Sequence, residues 1–490
     1  MGENVSVLGA RFRAIECIVC LIALTWACGP RSTPVPATPT QESTPSAPAV
    51  TRPEASSPDC ALITEPGESI ATVALADRID PSNAPHPSNE GERLLFRQVY
   101  ETLIRIDCHG HVRPGLAASW RLAGDGRTWI ITLRENARFS DGTPVTPNDV
   151  LASWTRDATG NGLRPPVSRL VHSIVPTDDR TVAIALRSQR VDAPLALAHT
   201  DLAIAKPAAD SPWPLGTRTD GAAPEPDAPG IAARSVITIR GDTLSPIRFV
   251  PGAGDPRDLL DKQVDLLLTR DAAALEYAAT LPHFQSVPLE WQRIHVLLTP
   301  GRMSASPSPS ADARQALATD AVRGESRGAV GPFWWQMLPD CEVADPQPRN
   351  QSTTTTRIVY DERDAAARDL AERLVGLARD SGREPTGLLE RLLPHRPRQT
   401  YQRAVGLTGE ALARARRLGT DAGYIVPLER RPLDACRDIQ VVMDGARWLD
   451  PETIVPLVET RLRAVVRRGR SGVSAEWDGG LVLAGARGPG

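Results

Sequence analysis

The sequence predicts a large mixed α/β protein of two or three domains, and three observations carry that prediction. Apolar residues alternate at Trp129, Ile131 and Leu133, and again through Thr181 to Leu186 after an Asp178-Asp179 turn, which is the period of a strand with one buried face. The short apolar run Arg357 to Tyr360 passes directly into a helical pattern from Asp364 to Arg379. Ala366, Leu370, Leu374 and Leu377 fall on one face of that helix, and Gly382 marks its stop. Finally, a chain of 490 residues can bury a substantial core and is long for a single one.

The stretch from Arg113 to Trp154 assigns nearly every residue a structural job. Pro114-Gly115 makes a turn, and Gly124-Asp125-Gly126 supplies the positive-φ positions of a tight hairpin whose returning strand carries Trp129, Ile131 and Leu133. Asp141-Gly142 turns the chain again. Thr146 then serves as the N-cap of a helix, Pro147 as its first residue and Asp149 as the partner in a capping box, while Val150, Leu151 and Trp154 give it an apolar face.

The first sixty residues are read from composition. Arg11 and Arg13 precede an apolar run from Ile15 to Ala27, interrupted by Glu16, and Ala27-Cys28 follows as a lipoprotein cleavage point. That run is shorter than the roughly 20 residues of a membrane span. Residues 1–28 are therefore expected to be a signal peptide, with Cys28 as the lipidated residue. Residues 29–60, rich in Pro, Ser and Thr, are expected to form a tether. Arg302 to Asp312 and Asp345 to Thr356 are biased in the same way and read as surface loops or linkers.

Of seven cysteines, Cys17, Cys20 and Cys28 lie in the leader, which leaves Cys60, Cys108, Cys341 and Cys436 for an oxidising compartment. Chain order makes Cys60 with Cys108 and Cys341 with Cys436 the simplest pairing, out of three connectivities that four cysteines allow.

In order and spacing, Pro114, Gly115, Leu116, Ala117, Ser119, Trp120, Asp125, Gly126, Leu133, Arg134, Phe139, Asp141, Gly142, Pro144, Asp149, Val150 and Trp154 match a signature. It resembles that of the family 5 extracellular solute-binding proteins of ABC transporters, which include oligopeptide-, dipeptide- and nickel-binding proteins. Fainter similarities follow the same order downstream of about Ala61. Phe96 to Leu103 looks like the helix before the signature, and Pro214-Leu215-Gly216-Thr217 like half of a later motif whose second half has become Arg218-Thr219-Asp220. Gln263-Val264-Asp265, the helix Ala313 to Ala318, and Tyr424 to Leu428 continue the series.

The resemblance implies a bilobed periplasmic-binding-protein-like fold (type II, class C) with a small β-rich inserted subdomain. It places lobe I at 61–215, lobe II at 216–423 and a return to lobe I at 424–490. It further implies a protein without catalytic chemistry that captures a small solute, foremost a short peptide, and delivers it to permease subunits of an importer. Such a protein would be a monomer in the periplasm or on the outer cell surface, held to the membrane by its lipid.

By the same resemblance Asn83 and Tyr100 approach the cleft, although both read equally as loop and packing residues. Arg218 could attract a carboxylate or stand exposed, and Trp334 and Trp335 could wall a ligand or pack internally. Asp421 is the acid nearest to where peptide-binding members hold an α-amino group. The region around it is abbreviated here, which leaves open a degenerate scaffold or sensor, or a binder of nickel or another non-peptide solute.

Other classes find little support. A net charge of −3, with Lys206 and Lys262 as the lysines, advertises no basic face for nucleic acid. No nucleophile elbow, zinc-protease motif, P-loop or dinucleotide fingerprint occurs in the sequence, so no cofactor is expected. Cys108-His109-Gly110-His111 resembles a metal-ligand cluster but is too sparse for a coordination shell, and no metal is expected there.

Overall fold

A computed structural model describes residues 60–155, 162–187, 189, 193–217, 223–226, 236–240, 245–252, 254–298, 311–330, 357–380, 402–418, 422–429 and 454–483. Among the described residues, two large sheets and one smaller sheet organise the chain. The first has seven strands, in the order Phe284–Pro288, Arg463–Arg467, Leu266–Thr269, Thr72–Leu75, Ile247–Pro251, Ile237–Arg240 and Ala223–Pro226. Thr72–Leu75 lies at its centre, parallel to both neighbours. Val73, Ala74 and Leu75 are almost fully buried because apolar clusters cover both faces of this strand.

The second sheet has six strands, in the order Ser326–Gly328, Ile454–Thr460, Arg293–Leu298, Ala422–Glu429, Arg357–Asp361 and Arg403–Leu407. Helices Ala311–Ala321 and Ala365–Asp380 pack on one face through Leu317, Leu370 and Leu374. The predicted step from strand to helix is present. Asp364 caps the second of these helices by accepting from the Ala367 N–H at 3.0 Å.

The smaller sheet is the expected β-rich insert: Ala117–Leu122, Thr128–Leu133, Thr181–Leu186 and Val171–Pro176, antiparallel throughout. Trp129, Ile131 and Leu133 face its core, as their alternation requires. The helix Pro147–Trp154 closes this core. The Asp149 carboxylate accepts from the Thr146 N–H at 2.8 Å and its hydroxyl at 2.6 Å. The hairpin uses one positive-φ glycine where two were expected: Gly126 has φ +71°, while Gly124 stays outside that region. Asp125 closes the turn by accepting from the N–H groups of Arg127 and Thr128, so a single left-handed position suffices. At Gly115 a Cβ would lie 2.3 Å from the Thr102 carbonyl oxygen, which explains a glycine there by close backbone approach.

Two expectations differ from the structure. The helix before the signature ends at Arg97, short of the stretch Phe96 to Leu103 assigned to it. The N–H groups of Val99 and Tyr100 turn back onto the Phe96 carbonyl, and Glu101 then enters a bridge with Ile204. The sheets also do not divide at residue 216 or 424. Strands between 223 and 288 join Thr72–Leu75, and the chain changes sheet between Pro288 and Arg293, returning between Thr460 and Arg463. The β-strand pattern of these segments is legible locally, but which central strand each one joins is a matter of long-range pairing. At the crossing the Leu289 N–H donates to the Leu462 carbonyl at 3.0 Å, tying the two connecting segments together.

Candidate functional site

The site is built around the helix Glu90–Arg97. Asn89 caps it by accepting from the Glu92 N–H at 2.8 Å, and Leu94, Leu95 and Phe96 anchor it in the core under the seven-stranded sheet. Glu92 is buried, at 1% exposure, because its carboxylate gathers the preceding loop. It accepts from the N–H groups of Asp80 and Ser88, from the Ser88 hydroxyl and from Asn83 Nδ2 at 2.8 Å. Asn83 is thereby a loop-shaping residue, and Pro85 and Pro87 of the shaped loop form a wall of the adjoining pocket.

That pocket, a cavity of about 60 Å³, lies beside the C-terminal half of the helix. Phe96, Tyr100, Ile106, Ala198 and Val482 make its apolar surface, and Arg93, Arg97, Arg105, Glu101, Glu476 and Asp478 its charged one. None of its lining comes from the six-stranded sheet. Tyr100 lies edge-on to Phe96, with ring centroids 5.9 Å apart, and its hydroxyl donates to the Pro214 carbonyl at 3.2 Å. Burial raises the phenol above its ordinary pKa, so it remains a neutral donor.

Arg97 pairs with Glu476 and, at 2.5 Å, with Asp478, while Arg105 reaches Glu476 at 2.9 Å. Burial alone would raise the Asp478 carboxyl, but Arg97, the Gly480 N–H and Arg93 together outweigh it and hold the group below the usual carboxylate range. These pairs fasten the end of the chain to the helix and alternate charge along the pocket wall.

Behind the pocket the helix meets the second sheet. Glu90 pairs with Arg93 at 2.7 Å, Arg270 at 3.4 Å and Arg293 at 3.7 Å, and Arg293 in turn pairs with Glu429 at 2.5 Å. Arg293 and Glu429 sit on paired strands of the six-stranded sheet, so Glu90 bridges the two lobes. Burial alone would raise the Glu90 carboxyl; Arg93, Arg270 and Arg293 together bring it to about 2. Beside them, His295 is fully buried and 3.1 Å from Asp364, whose carboxyl is kept ionised, against its burial, by His295 and Arg293.

His86, in the loop between the two wall prolines, is pushed down to about 3 by burial and then by Arg164, with Asp201 opposing. It is neutral when folded, whereas an unfolded histidine titrates near 6.5. Between those values the unfolded chain holds the extra proton, so this group's contribution is complete above pH 6.5 and is lost as the pH falls toward 3. The slope is about 1.4 kcal/mol per pH unit for one proton. A His86→Gln variant should therefore show a flatter fall of stability between pH 6 and 4, checked by urea titrations at each pH.

The other sequence candidates resolve as follows. Cys60 and Cys108 form a disulfide with Cα atoms 5.6 Å apart. Their sulfurs lie close to a His109 ring nitrogen, but neither is a thiolate able to hold a metal. His111 leans on Asp107, 3.3 Å away, which also accepts from the N–H groups of His109 and His111 and from Arg113. Cys28, Arg218, Trp334, Trp335, Cys341, Asp421 and Cys436 lie outside the described residues. Sequence reasoning missed Glu90, Arg93 and Arg97. Their spacing of three and four places them along one helix face, a signal that was available; the partners Arg270, Arg293, Glu476 and Asp478 gave none.

Comparison with known proteins places this architecture. Residues 111–226 match the sequence profile described as bacterial extracellular solute-binding proteins, family 5 Middle. The periplasmic oligopeptide-binding protein OppA of Salmonella typhimurium is 40% identical over 92 residues, 19% of this chain and 17% of that protein. The murein peptide-binding protein MppA of Escherichia coli is 42% identical over 62 residues, 13% of this chain and 11% of its own. The chain thus spans under a fifth of the length of these curated relatives in sequence.

In fold the agreement is far longer. The structure of MppA superposes with a TM-score of 0.54 over 86% of this chain and 99% of that one, at 12% identity. The dipeptide-binding protein of Pseudoalteromonas sp. SM9913 in complex with Met-Leu does so with a TM-score of 0.58 over 86% and 100%, at 13% identity. The fold is that of the bilobed periplasmic binding proteins. Over residues 111–226 this chain is thus similar in sequence to the family 5 extracellular solute-binding proteins, and over most of its length it shares the fold of periplasmic binding proteins.

Proposed function

We propose that the protein is the extracytoplasmic solute-binding component of an ABC importer. It captures a short peptide at the pocket beside the helix Glu90–Arg97 and presents it to permease subunits. The observation that carries this reading is that pocket. One of its lining residues, Arg93, pairs with Glu90 at the seam, and the pocket combines apolar side chains with charges of both signs, which suits a solute having an apolar body and both signs of charge. The names of the relatives, binders of oligopeptides, murein peptides and dipeptides, support the same substrate class. The protein is a binder without catalytic chemistry.

The sheet memberships support lobe boundaries of their own: one lobe from residue 60 to about Pro288 together with Leu462 to Leu483, and the other from Arg293 to Thr460. A cleaved leader, a lipid on Cys28 and a tether to residue 60 complete a monomer anchored on the outer face of a membrane. No helix among the described residues is long and apolar enough to cross one.

The test is native mass spectrometry of protein purified gently from its host, followed by denaturation to identify released compounds. The wild type should carry short peptides. Ala198→Trp, which fills the pocket from a partly buried wall position, should weaken binding of those peptides at least ~10-fold, about 1.4 kcal/mol. Peptide occupancy unchanged by Ala198→Trp would refute the pocket, and a reproducible metal or sugar adduct in place of peptide would refute the substrate class.

A further inference from the structure

Among the described residues the chain passes from one sheet to the other through 289–292 and back through 461–462, and the charges around those crossings are arranged across the boundary. On the side of the seven-stranded sheet stand Arg93 and Arg270, and on the side of the six-stranded sheet stands Arg293. Three guanidinium groups converging on one seam repel. Arg270 shows it: burial first, and then Arg293, lower its pKa below the ordinary arginine value. Glu90 is the acid that touches all three. The other acids facing Arg293 are Glu429 and Asp364 of the six-stranded sheet's side; Glu429 also acts across the seam on Arg93 and Arg270, and Asp478 faces Arg93 from the helix side.

We infer that Glu90 sets the angle between the lobes: it is the counter-charge that lets Arg93 and Arg270 of one lobe approach Arg293 of the other, so the seam closes without solute. Neutralising Glu90 leaves Arg93, Arg270 and Arg293 with Glu429 and Asp364 as their counter-charges, an unbalanced positive charge that opens the seam. Removing Arg293 as well leaves Glu429 and Asp364 opposite Arg93 and Arg270, an attractive arrangement that closes it again. A second contact works in the same sense. Glu325, beside the six-stranded sheet, pairs with Arg461 at 2.7 Å in the returning segment and with Arg463 of the seven-stranded sheet. Trp291, in the outgoing segment, takes the guanidinium groups of Arg327 and Arg461 over its ring, each 4.4 Å from the centroid.

The experiment is small-angle X-ray scattering on the exhaustively dialysed full chain, with circular dichroism as a control of folding, for the wild type, Glu90→Gln, Arg293→Met and the double variant. Glu90→Gln should raise the radius of gyration, and Glu90→Gln/Arg293→Met should return it to the wild-type value. Arg293→Met alone should not raise it. A folded Glu90→Gln variant that scatters like the wild type overturns the inference, as does a double variant as expanded as Glu90→Gln. Should Glu90→Gln fail to fold, expansion of Arg293→Met alone would still overturn it, because Arg293 would then be a strut and not the repelling partner. No solute enters these measurements, so the outcome is independent of which one the pocket takes.

Discussion

Replacing Trp154 with alanine should cost about 3–5 kcal/mol, the range for removing a large buried aromatic side chain. Trp154 has no exposed surface, stands at the centre of the apolar cluster between the small sheet and its helix, and donates from Nε1 to the Leu202 carbonyl at 3.1 Å. Truncation removes the packing and leaves that carbonyl without its side-chain donor. Hydrogen exchange should accelerate most in Thr128–Leu133 and Thr181–Leu186, the adjacent central strands of the insert. Trp154→Phe keeps most of the apolar area and loses the hydrogen bond alone, so its effect should be about 1–2 kcal/mol. Equal losses for the two variants would show that the hydrogen bond, and not burial, dominates at this position.

Arg97→Met should be almost as damaging, about 3 kcal/mol, because it deprives a partly buried acid of its counter-charge. Glu476 retains Arg105, but Asp478 keeps the Gly480 N–H at 3.0 Å and the field of Arg93, with no ion pair of its own. The Arg97 side chain is 9% exposed and that of Asp478 16%, so water can compensate little. The consequence reaches the pocket, since Glu476, Trp477 and Asp478 form one of its walls. Adding Asp478→Asn to Arg97→Met should recover part of the lost stability, because a neutral amide tolerates the site without a cation. Denaturant midpoints of the two single variants and the double variant measure this coupling, and strict additivity would place the cost elsewhere than in the ion pair.

The insert was legible almost residue by residue. Its turns, its alternation and its helix cap act over four to eight neighbouring residues, and the matching chemistry stands in the sequence in the order in which it is used. The helix Glu90–Arg97 was legible in part. The resemblance places its end too late, because the chain is turned out of the helix after Arg97 by the strand-like pairing of Glu101 with Ile204, more than a hundred residues away. Of the two residues that the resemblance brings toward a cleft, Tyr100 lines the pocket, and Asn83 donates to Glu92 in the loop that shapes it.

By itself the sequence determined the α/β class, the family signature, the insert and the spacing of Glu90, Arg93 and Arg97 on one helix face. Each of these depends on forces that act between near neighbours in the chain. Only the tertiary structure decided that residues 223–288 complete the first sheet, that the end of the chain closes the pocket through Arg97, and that Glu90 meets Arg293 across the lobes. A charge carries no mark of its distant partner. Its pairing is fixed by how the sheets assemble, and the free energy that assembles them comes from apolar burial at other residues.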